Sequence, residues 1–427
     1  MKFSIFEKER LVRLNEAEFG RFGSFLNWVD EEENDKTEKE RDLVLDEIEK
    51  LGGTFDFLGS KSDTRYLSPG CRICGQGAWS CLFINGMCNA KCFYCPSRQD
   101  EILDPKTNSF VFDSPDNYAD YVNSFGFKGV SFSGGEPFLT FDLMLEYLKS
   151  VRKKCDSSVY IWAYTNGALV TEEKLKKLKA EGLNELRFDI GAFDYSLKKA
   201  ELAAKIIDTV TVEIPMVPDH YELVKSLVNP MKDIGIKHLN LHQLRTNSYN
   251  LPKMIERDYK FLHGRKVTVF QSELFALKIL LHSIKTGGVP VNYCSFVFQE
   301  SFQSCATRKR YAKICAEPAD YITQNGYIRH VDESLGQDVR VTYFTPRTLS
   351  DEFNIEKKKM ISYKLTRADF NLIFDLINKN FKTETKSSGR IIEMVPDFDT
   401  SITSLTAREF YEIFNFEILR GGFADYF

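Results

Sequence analysis

From Trp79 to Ser295 short β-rich runs alternate with amphipathic helical stretches, and that alternation constrains the fold more than any other feature. The candidate strands are "WSCLFIN" (79–85), "GVSFSG" (129–134), "VYIWAYTNG" (159–167), "ELRFDI" (185–190), "TVTVEIPMV" (209–217), "IKHLNLHQL" (236–244) and "VPVNYCS" (289–295). Between them lie helical patterns such as "LTFDLMLEYLKSVRKK" (139–154) and "TEEKLKKLKAEG" (171–182). The second opens on Thr171, Glu172 and Glu173 and carries Lys176, Lys177 and Lys179 toward its end, the order a helix dipole favours. Strand, helix and next parallel strand make a right-handed unit, so the series predicts a parallel α/β sheet with helices outside it. Chemistry on such sheets gathers at the C-terminal ends of the strands.

The flanks read differently. Residues 1–70 are expected to form an N-terminal extension. Its charged run "EEENDKTEKERDLVLDEIEK" (31–50) brings Leu43, Val44, Ile48 and Leu51 near helical spacing and reads as a solvated helix, whereas "LGSKSDTRYLSPG" (58–70) reads as a loop. Residues 71–300 take in the strand–helix series. Residues 301–427 contain "GYIRHV", "VRVTYFT", "TRADFNLIFDLINKNF" and "TAREFYEIFNFEIL", and are expected to form a small α+β C-terminal domain.

Composition narrows the partners. Net charge is −4 and the pI about 6.0, which gives no reason to expect nucleic acid. The locally basic "TRKRYAK" (307–313) reads as a solvated helix face. No apolar run approaches the roughly 18–20 residues that cross a bilayer, and the first residues lack the apolar core of a signal peptide. A cytoplasmic location is therefore expected. Thiols stay reduced there, so clusters among the ten cysteines point to metal or catalysis rather than to disulfides.

The densest cluster is "CNAKCFYCP" (88–96), directly after the first strand. Three thiolates can grip three corners of a four-iron cluster and leave the fourth iron without a protein ligand. A structural zinc site would normally be closed by four ligands, whereas an open position is what a catalytic metal needs.

This spacing, with Tyr94 before the last cysteine, resembles the radical S-adenosylmethionine (radical SAM) superfamily. Two further elements agree in strand order: "SFSGGEP", with Gly134, Gly135, Glu136 and Pro137 ending the second strand, and "YTNG" (164–167) ending the third. The resemblance covers about residues 79–295 and implies a partial (β/α)6 barrel. It implies a [4Fe-4S] cluster on Cys88, Cys92 and Cys95, with SAM chelating the open iron. It further implies reductive cleavage of SAM to a 5′-deoxyadenosyl radical that abstracts hydrogen from a substrate. Gly134 and Gly135 would let backbone approach the SAM methionine, and Glu136 or neighbouring carbonyls would accept from its ammonium. Tyr94 would pack near the adenine, and Asn166 is a candidate ribose ligand. Arg187 and Asp189 share a face of the fourth strand, either as an interior ion pair or in contact with SAM. Met216, in "EIPMVP", either lines the adenine or belongs to the core.

Substrate contacts are sought in "LNLHQLRTN" (239–247), unusually polar for a barrel strand end; either Gln243 and Arg245 or Asn240 and His242 should face the cavity. The remaining cysteines include the pair in "CRIC", Cys71 and Cys74. A helix running down from about residue 296 would carry Cys305 toward the same end of the barrel. Cys71, Cys74, Cys305 and Cys315 are thus candidates for an auxiliary iron–sulfur cluster, with structural zinc or plain buried thiols as alternatives. Cys294, ending the last strand, could be a fourth ligand or a hydrogen-atom donor; Cys81 and Cys155 read as buried apolar residues.

The leading expectation is a radical SAM oxidoreductase acting on a peptide, protein side chain or small metabolite, fed electrons by a flavodoxin or ferredoxin. A narrower alternative is an activase that installs a glycyl radical on a partner enzyme. From another class comes a non-catalytic iron–sulfur or zinc module, which would have no use for the Gly-Gly-Glu element.

Overall fold

The computed structural model describes residues 5–108, 110–348, 354–379, 382–385, 391–394, 403–423 and 426–427. Two helices open the chain, α1 (Ile5–Phe19) and α2 (Glu31–Lys50). Asp30 caps α2 by accepting from the Glu33 N–H. The helix is only half solvated: Val44, Leu45 and Ile48 are buried, Leu43 is 69% exposed, and Arg41 pairs with Glu273 inside the fold.

Among the described residues the main sheet has twelve strands, nine of which form its body: β1 (Thr54–Asp56), β2 (Lys61–Asp63), β3 (Trp79–Met87), β4 (Gly129–Gly134), β5 (Tyr160–Thr165), β6 (Glu185–Phe188), β7 (Thr209–Pro215), β8 (His238–His242) and β9 (Val291–Cys294); the other three are two-residue strands within 100–111 beside β3. From β3 to β9 neighbours pair in chain order and all in parallel, so every candidate strand of the sequence takes its place in one partial barrel. β2 adds antiparallel to the free side of β9, and β1 to β2, so the stretch read as a loop before the first strand extends the sheet. The connecting helices are α3 (Pro69–Gly75), α4 (Pro115–Ser124), α5 (Phe141–Lys154), α6 (Glu172–Ala180), α7 (Lys198–Ala204), α8 (Tyr221–Asp233) and α9 (Ser272–Thr286). Local chemistry starts them: Ser114 accepts from Asn117 N–H, and Thr171 from Lys174 N–H. Glu172–Lys176 and Glu173–Lys177 ion pairs then run along α6.

Strand alternation divides the barrel into two environments. Leu186, Phe188, Val210, Val212, Ile214, Leu239, Leu241, Val291 and Tyr293 join the apolar core between sheet and helices. The alternate residues, among them Glu185, Arg187, Glu213, Asn240, His242 and Cys294, form a polar interior. Burial on the outer face stabilises the barrel at about 25 cal/mol per Å², which leaves the inner face free for chemistry.

After β9 a continuous helical run from Phe296 leads into α10 (Ser304–Cys315). The antiparallel sheet that follows holds β10 (Asp320–Ile322), β11 (Ile328–Asp332), β12 (Asp338–Thr348) and β13 (Ile355–Thr366). With α11 (Arg367–Lys379) and α12 (Ala407–Glu417) it shares a core around Val341, Tyr343, Ile373 and Phe414. Residues 380–381 of the first predicted C-terminal helix lie outside the described residues. Thr406 and Glu409 form a capping box at the start of α12. No described helix is long and apolar enough to cross a membrane.

Candidate active site

The C-terminal ends of the barrel strands open onto a cavity of about 560 Å³. Cys88, Cys92 and Cys95 enter it from the loop after β3, and they are the only cysteines among its lining residues. That loop is held from several sides. Cys88 N–H donates to Gln99 O at 2.9 Å, Asn247 Nδ2 to Pro96 O at 2.8 Å, and Asn250 Nδ2 to Tyr94 O at 3.0 Å. The Tyr94 hydroxyl donates to the Asp189 carboxylate at 2.9 and 3.1 Å, tying the loop to the end of β6. Burial pushes all three thiols up, Cys92 to about 12, so an incoming metal must displace their protons. Three soft sulfur donors converging on one roomy cavity fit a four-iron cluster with one corner left to a non-protein ligand.

The Gly-Gly-Glu turn after β4 forms the adjacent wall, and its glycines are needed by the protein's own backbone. Gly134 has φ +120°, and a Cβ there would stand 2.2 Å from Asn85 O; at Gly135 it would stand 1.9 Å from Met87 O. The close fit lets Gly135 N–H donate to Asn85 O and Glu136 N–H to Met87 O, so turn and cysteine loop leave β3 laced together. The buried Glu136 carboxylate accepts from Phe138 N–H (3.0 Å), Thr165 Oγ1 (2.8 Å) and Asn166 N–H (2.7 Å). Burial raises its pKa and these bonds oppose the rise. Asn166 reaches across to Asn89 Oδ1 at 2.7 Å and lies 3.7 Å from Cys88 Sγ. Asp189 is pushed up to about 6 by burial, against the bond from Tyr94.

The chain turns inward after β8, so His242, Gln243 and Arg245 all line this cavity despite their alternation in sequence. Gln243 Oε1 accepts from Phe296 N–H at 3.2 Å, and the Arg245 guanidinium stands 5.9 Å from the Phe296 ring centre.

Below this space, toward the N-terminal ends of the strands, lies a second cavity of about 200 Å³. The two share Tyr164, Glu213, His242 and Gln299 as a common wall. Arg187 belongs to the lower one: its guanidinium meets Glu185 at 2.8 Å, Glu213 at 2.7 Å and Ser68 Oγ at 3.2 Å. The expected Arg187–Asp189 ion pair does not form: Arg187 pairs with Glu185 and Glu213 around the lower cavity, while Asp189 lines the upper one and accepts from Tyr94. Glu213 also accepts from His242 Nε2 and Asn240 Nδ2, both at 2.8 Å. Burial alone would raise Glu213, but Arg187 and His242 pull it far below the carboxylate range. Met216 is fully buried in the outer core and lines neither cavity.

Cys294 faces the lower cavity together with Cys71 and Cys74. The predicted grouping of Cys71 and Cys74 with Cys305 and Cys315 does not form. Cys305 donates to Gln324 O at 3.2 Å and Cys315 ends α10; neither lines the cavity. The reason is helical phase. Gln303 touches Cys74, and two residues later the side chain points roughly 200° away. Cys81 and Cys155 are half-buried. Among the described residues no three His, Cys, Asp or Glu side chains are placed to hold one metal ion. A cubane asks for a wider set, because it spreads its thiolates over separate iron corners.

Lys61 was missed by sequence reasoning. It is fully buried, 2.7 Å from Cys294 Sγ and 4.2 Å from the Phe298 ring centre. Burial alone would raise the Cys294 pKa, but the neighbouring ammonium lowers it. Nothing in "GSKSDT" singles Lys61 out, since the segment balances one lysine with one aspartate and no apolar residue marks it as a strand.

Residues 82–242 match the radical SAM superfamily. A Methanocaldococcus jannaschii protein named as a glycyl-radical enzyme activating enzyme is 28% identical over 302 residues, covering 67% of this chain and 76% of its own. Another protein of that organism, named as a GTP 3′,8-cyclase, is 32% identical over 125 residues, covering 28% of this chain and 38% of its own. Among solved structures, Streptococcus suis SuiB aligns with a TM-score of 0.38 at 13% identity over 69% of this chain and 62% of its own. Coproporphyrinogen III oxidase (HemN) from Escherichia coli gives 0.33 at 12% over 76% and 80%.

Proposed function

We infer from the radical SAM domain over residues 82–242 that this chain is an enzyme that binds a [4Fe-4S] cluster and SAM in the upper cavity. Bound there, cluster and SAM would supply one-electron cleavage of SAM and so the radical chemistry that takes hydrogen from a substrate. The observation that carries this reading is the meeting of Cys88, Cys92 and Cys95 with the Gly-Gly-Glu turn around one cavity at the strand ends.

The protein's own groups divide the work. Cys88, Cys92 and Cys95 hold the metal. Glu136 has three of its acceptor positions filled, so it fixes the turn, and the SAM ammonium falls to backbone carbonyls beside Gly134 and Gly135. Asn166, 3.7 Å from Cys88 Sγ, would offer a polar contact to SAM, and the hydrogen-bonded Tyr94 and Asp189 line the same cavity. Gln243 and Arg245 offer polar contacts to a substrate carbonyl or carboxylate at the mouth.

The substrate class proposed is a peptide, a protein side chain or a small metabolite, with electrons from a flavodoxin or ferredoxin in the cytoplasm. A second reading, an activase that places a glycyl radical on a partner enzyme, is favoured by the name of the M. jannaschii relative. Anaerobic reconstitution followed by SAM and dithionite should yield 5′-deoxyadenosine. The Cys88→Ala/Cys92→Ala/Cys95→Ala variant should yield none, and a fully loaded wild type that makes none would sink the reading.

A further inference from the structure

We propose that Cys71, Cys74 and Cys294 bind a second iron–sulfur cluster in the lower cavity of the barrel. The proposal deepens the radical SAM reading and concerns residues outside the first cluster's loop.

Three separate features converge. First, α3 presents Cys71 and Cys74 one turn apart, and β9 brings Cys294 from more than two hundred residues away to the same 200 Å³ cavity. Ser68 caps α3 and is itself held by Arg187, so the helix that carries two of the thiols is anchored to the barrel floor. Gly77, at φ +61°, lets α10 pass so closely that a Cβ there would stand 2.4 Å from Ala306.

Second, each of the three sulfurs has at least one N–H donor beside it. Gln303 Nε2 lies 2.6 Å from Cys74 Sγ, and Asn240 Nδ2 3.3 Å from Cys71 Sγ. Asn292 Nδ2 stands 3.9 Å from Cys71 Sγ and 3.7 Å from Cys294 Sγ, and Lys61 Nζ completes the set at 2.7 Å from Cys294. A neutral buried thiol is a weak acceptor that needs no such company. Donors aimed at cysteine sulfur are what tune and stabilise the thiolates of an iron–sulfur cluster.

Third, the charge balance asks for an anion. Lys61 is fully buried, and among the described residues no carboxylate pairs with it, while Arg187 in the same cavity is already matched by Glu185 and Glu213. A buried ammonium is costly unless an opposite charge stands beside it. Three thiolates on an oxidised four-iron core carry one net negative charge, which Lys61 would offset. With three thiols lining the cavity, one corner of such a cluster would be left for a non-cysteine ligand.

The test counts iron and sulfide after anaerobic reconstitution with ferrous iron and sulfide, in four proteins: wild type, Cys88→Ala/Cys92→Ala/Cys95→Ala, Cys71→Ser/Cys74→Ser/Cys294→Ser, and Cys305→Ser/Cys315→Ser. The wild type should hold about eight irons, each of the two triple variants about half, and the Cys305/Cys315 variant the full complement. A wild type with about four irons, all lost in the Cys88 triple variant, would overturn the proposal, as would zinc rather than iron in the lower site. Should the Cys71 triple variant not fold, Lys61→Met and Cys294→Ser are each placed in the Cys88 triple background. The reduced protein's EPR spectrum should then change, and an unchanged spectrum overturns the assignment. Assaying 5′-deoxyadenosine in the same samples separates the two readings: wild type that makes none while the Cys88 triple variant retains iron would refute the radical chemistry and leave the second site standing.

Discussion

Glu136 is the knot between three strand ends, and removing its charge tests that directly. Its carboxylate accepts from the Phe138 N–H, the Thr165 hydroxyl and the Asn166 N–H at 2.7 to 3.0 Å, and the residue is 1% exposed. In Glu136→Gln the amide oxygen can serve Phe138 and Thr165, which sets the NH2 group against the Asn166 N–H. One charge-assisted bond is lost and one buried N–H left unpaired, a cost of about 2–4 kcal/mol. Relief of the buried charge returns part of this, so a net loss of about 1–3 kcal/mol is expected. Glu136→Ala orphans both backbone donors and removes packing, for about 3–5 kcal/mol. Urea unfolding of the cluster-free, reduced protein at pH 7 reads both values. Reconstituted Glu136→Gln should also bind SAM more weakly, because Asn166 loses its anchor while the three cysteines stay in place. If both variants unfold within about 0.5 kcal/mol of wild type, the carboxylate does not hold the turn and the reasoning fails.

Two further outcomes follow from single positions. Gly135→Ala drives a Cβ to 1.9 Å from a backbone carbonyl that cannot rotate away, so it should lose several times more stability than Gly23→Ala, whose Cβ meets Phe19 at an ordinary 3.7 Å; equal melting temperatures would refute the close-approach account. Asp63, 2% exposed on β2, is raised by burial to about 6 from 3.8. Because the unfolded chain ionises first, its contribution is fully present below about pH 4 and lost as pH rises through about 6, by up to about 3 kcal/mol. Asp63→Asn should therefore gain on wild type by that amount between pH 4 and pH 7, and a pH-independent difference would count against the buried carboxyl.

The parts legible in sequence are those where one physical signal acts alone. The seven parallel strands are marked by apolar runs because their outer faces carry the core, with Leu186, Val212 and Leu241 as examples. The Cys88–Cys95 loop is marked by chemistry too dense for any other use. β2 gives neither signal. Lys61, Ser62 and Asp63 are all buried, yet none is apolar: they pair with β9 through backbone, Lys61 opposite Cys294 and Asp63 opposite Asn292 on the polar side, Ser62 opposite Tyr293 on the core side. Arg187 was visible as a charged residue in a barrel strand with Glu185 two residues before it on the same face, but Glu213 comes from the neighbouring strand, whose register spacing alone does not decide. The position of Cys305 turned on the phase of a helix, where two residues separate Gln303 facing Cys74 from a thiol facing Gln324.

The polar interior also explains why the two cavities stay distinct. Glu213 takes bonds from Arg187 on the lower side and from His242 at the boundary, both to one carboxylate in a region that excludes most water. Such a network is stable only while every member is satisfied; a buried pair broken on one side costs about 3–5 kcal/mol. The wall between the upper cavity and the thiol-lined chamber is therefore a rigid electrostatic element, and Tyr164, packed beside Arg187, completes it. Any species moving between the chambers must displace that network at comparable cost. Electrons need no such displacement, since they can cross a wall of packed side chains without opening it. A lower chamber equipped with cysteine sulfurs and donors, but walled from the upper one by paired charges, is thus better suited to a fixed redox group than to a diffusing substrate.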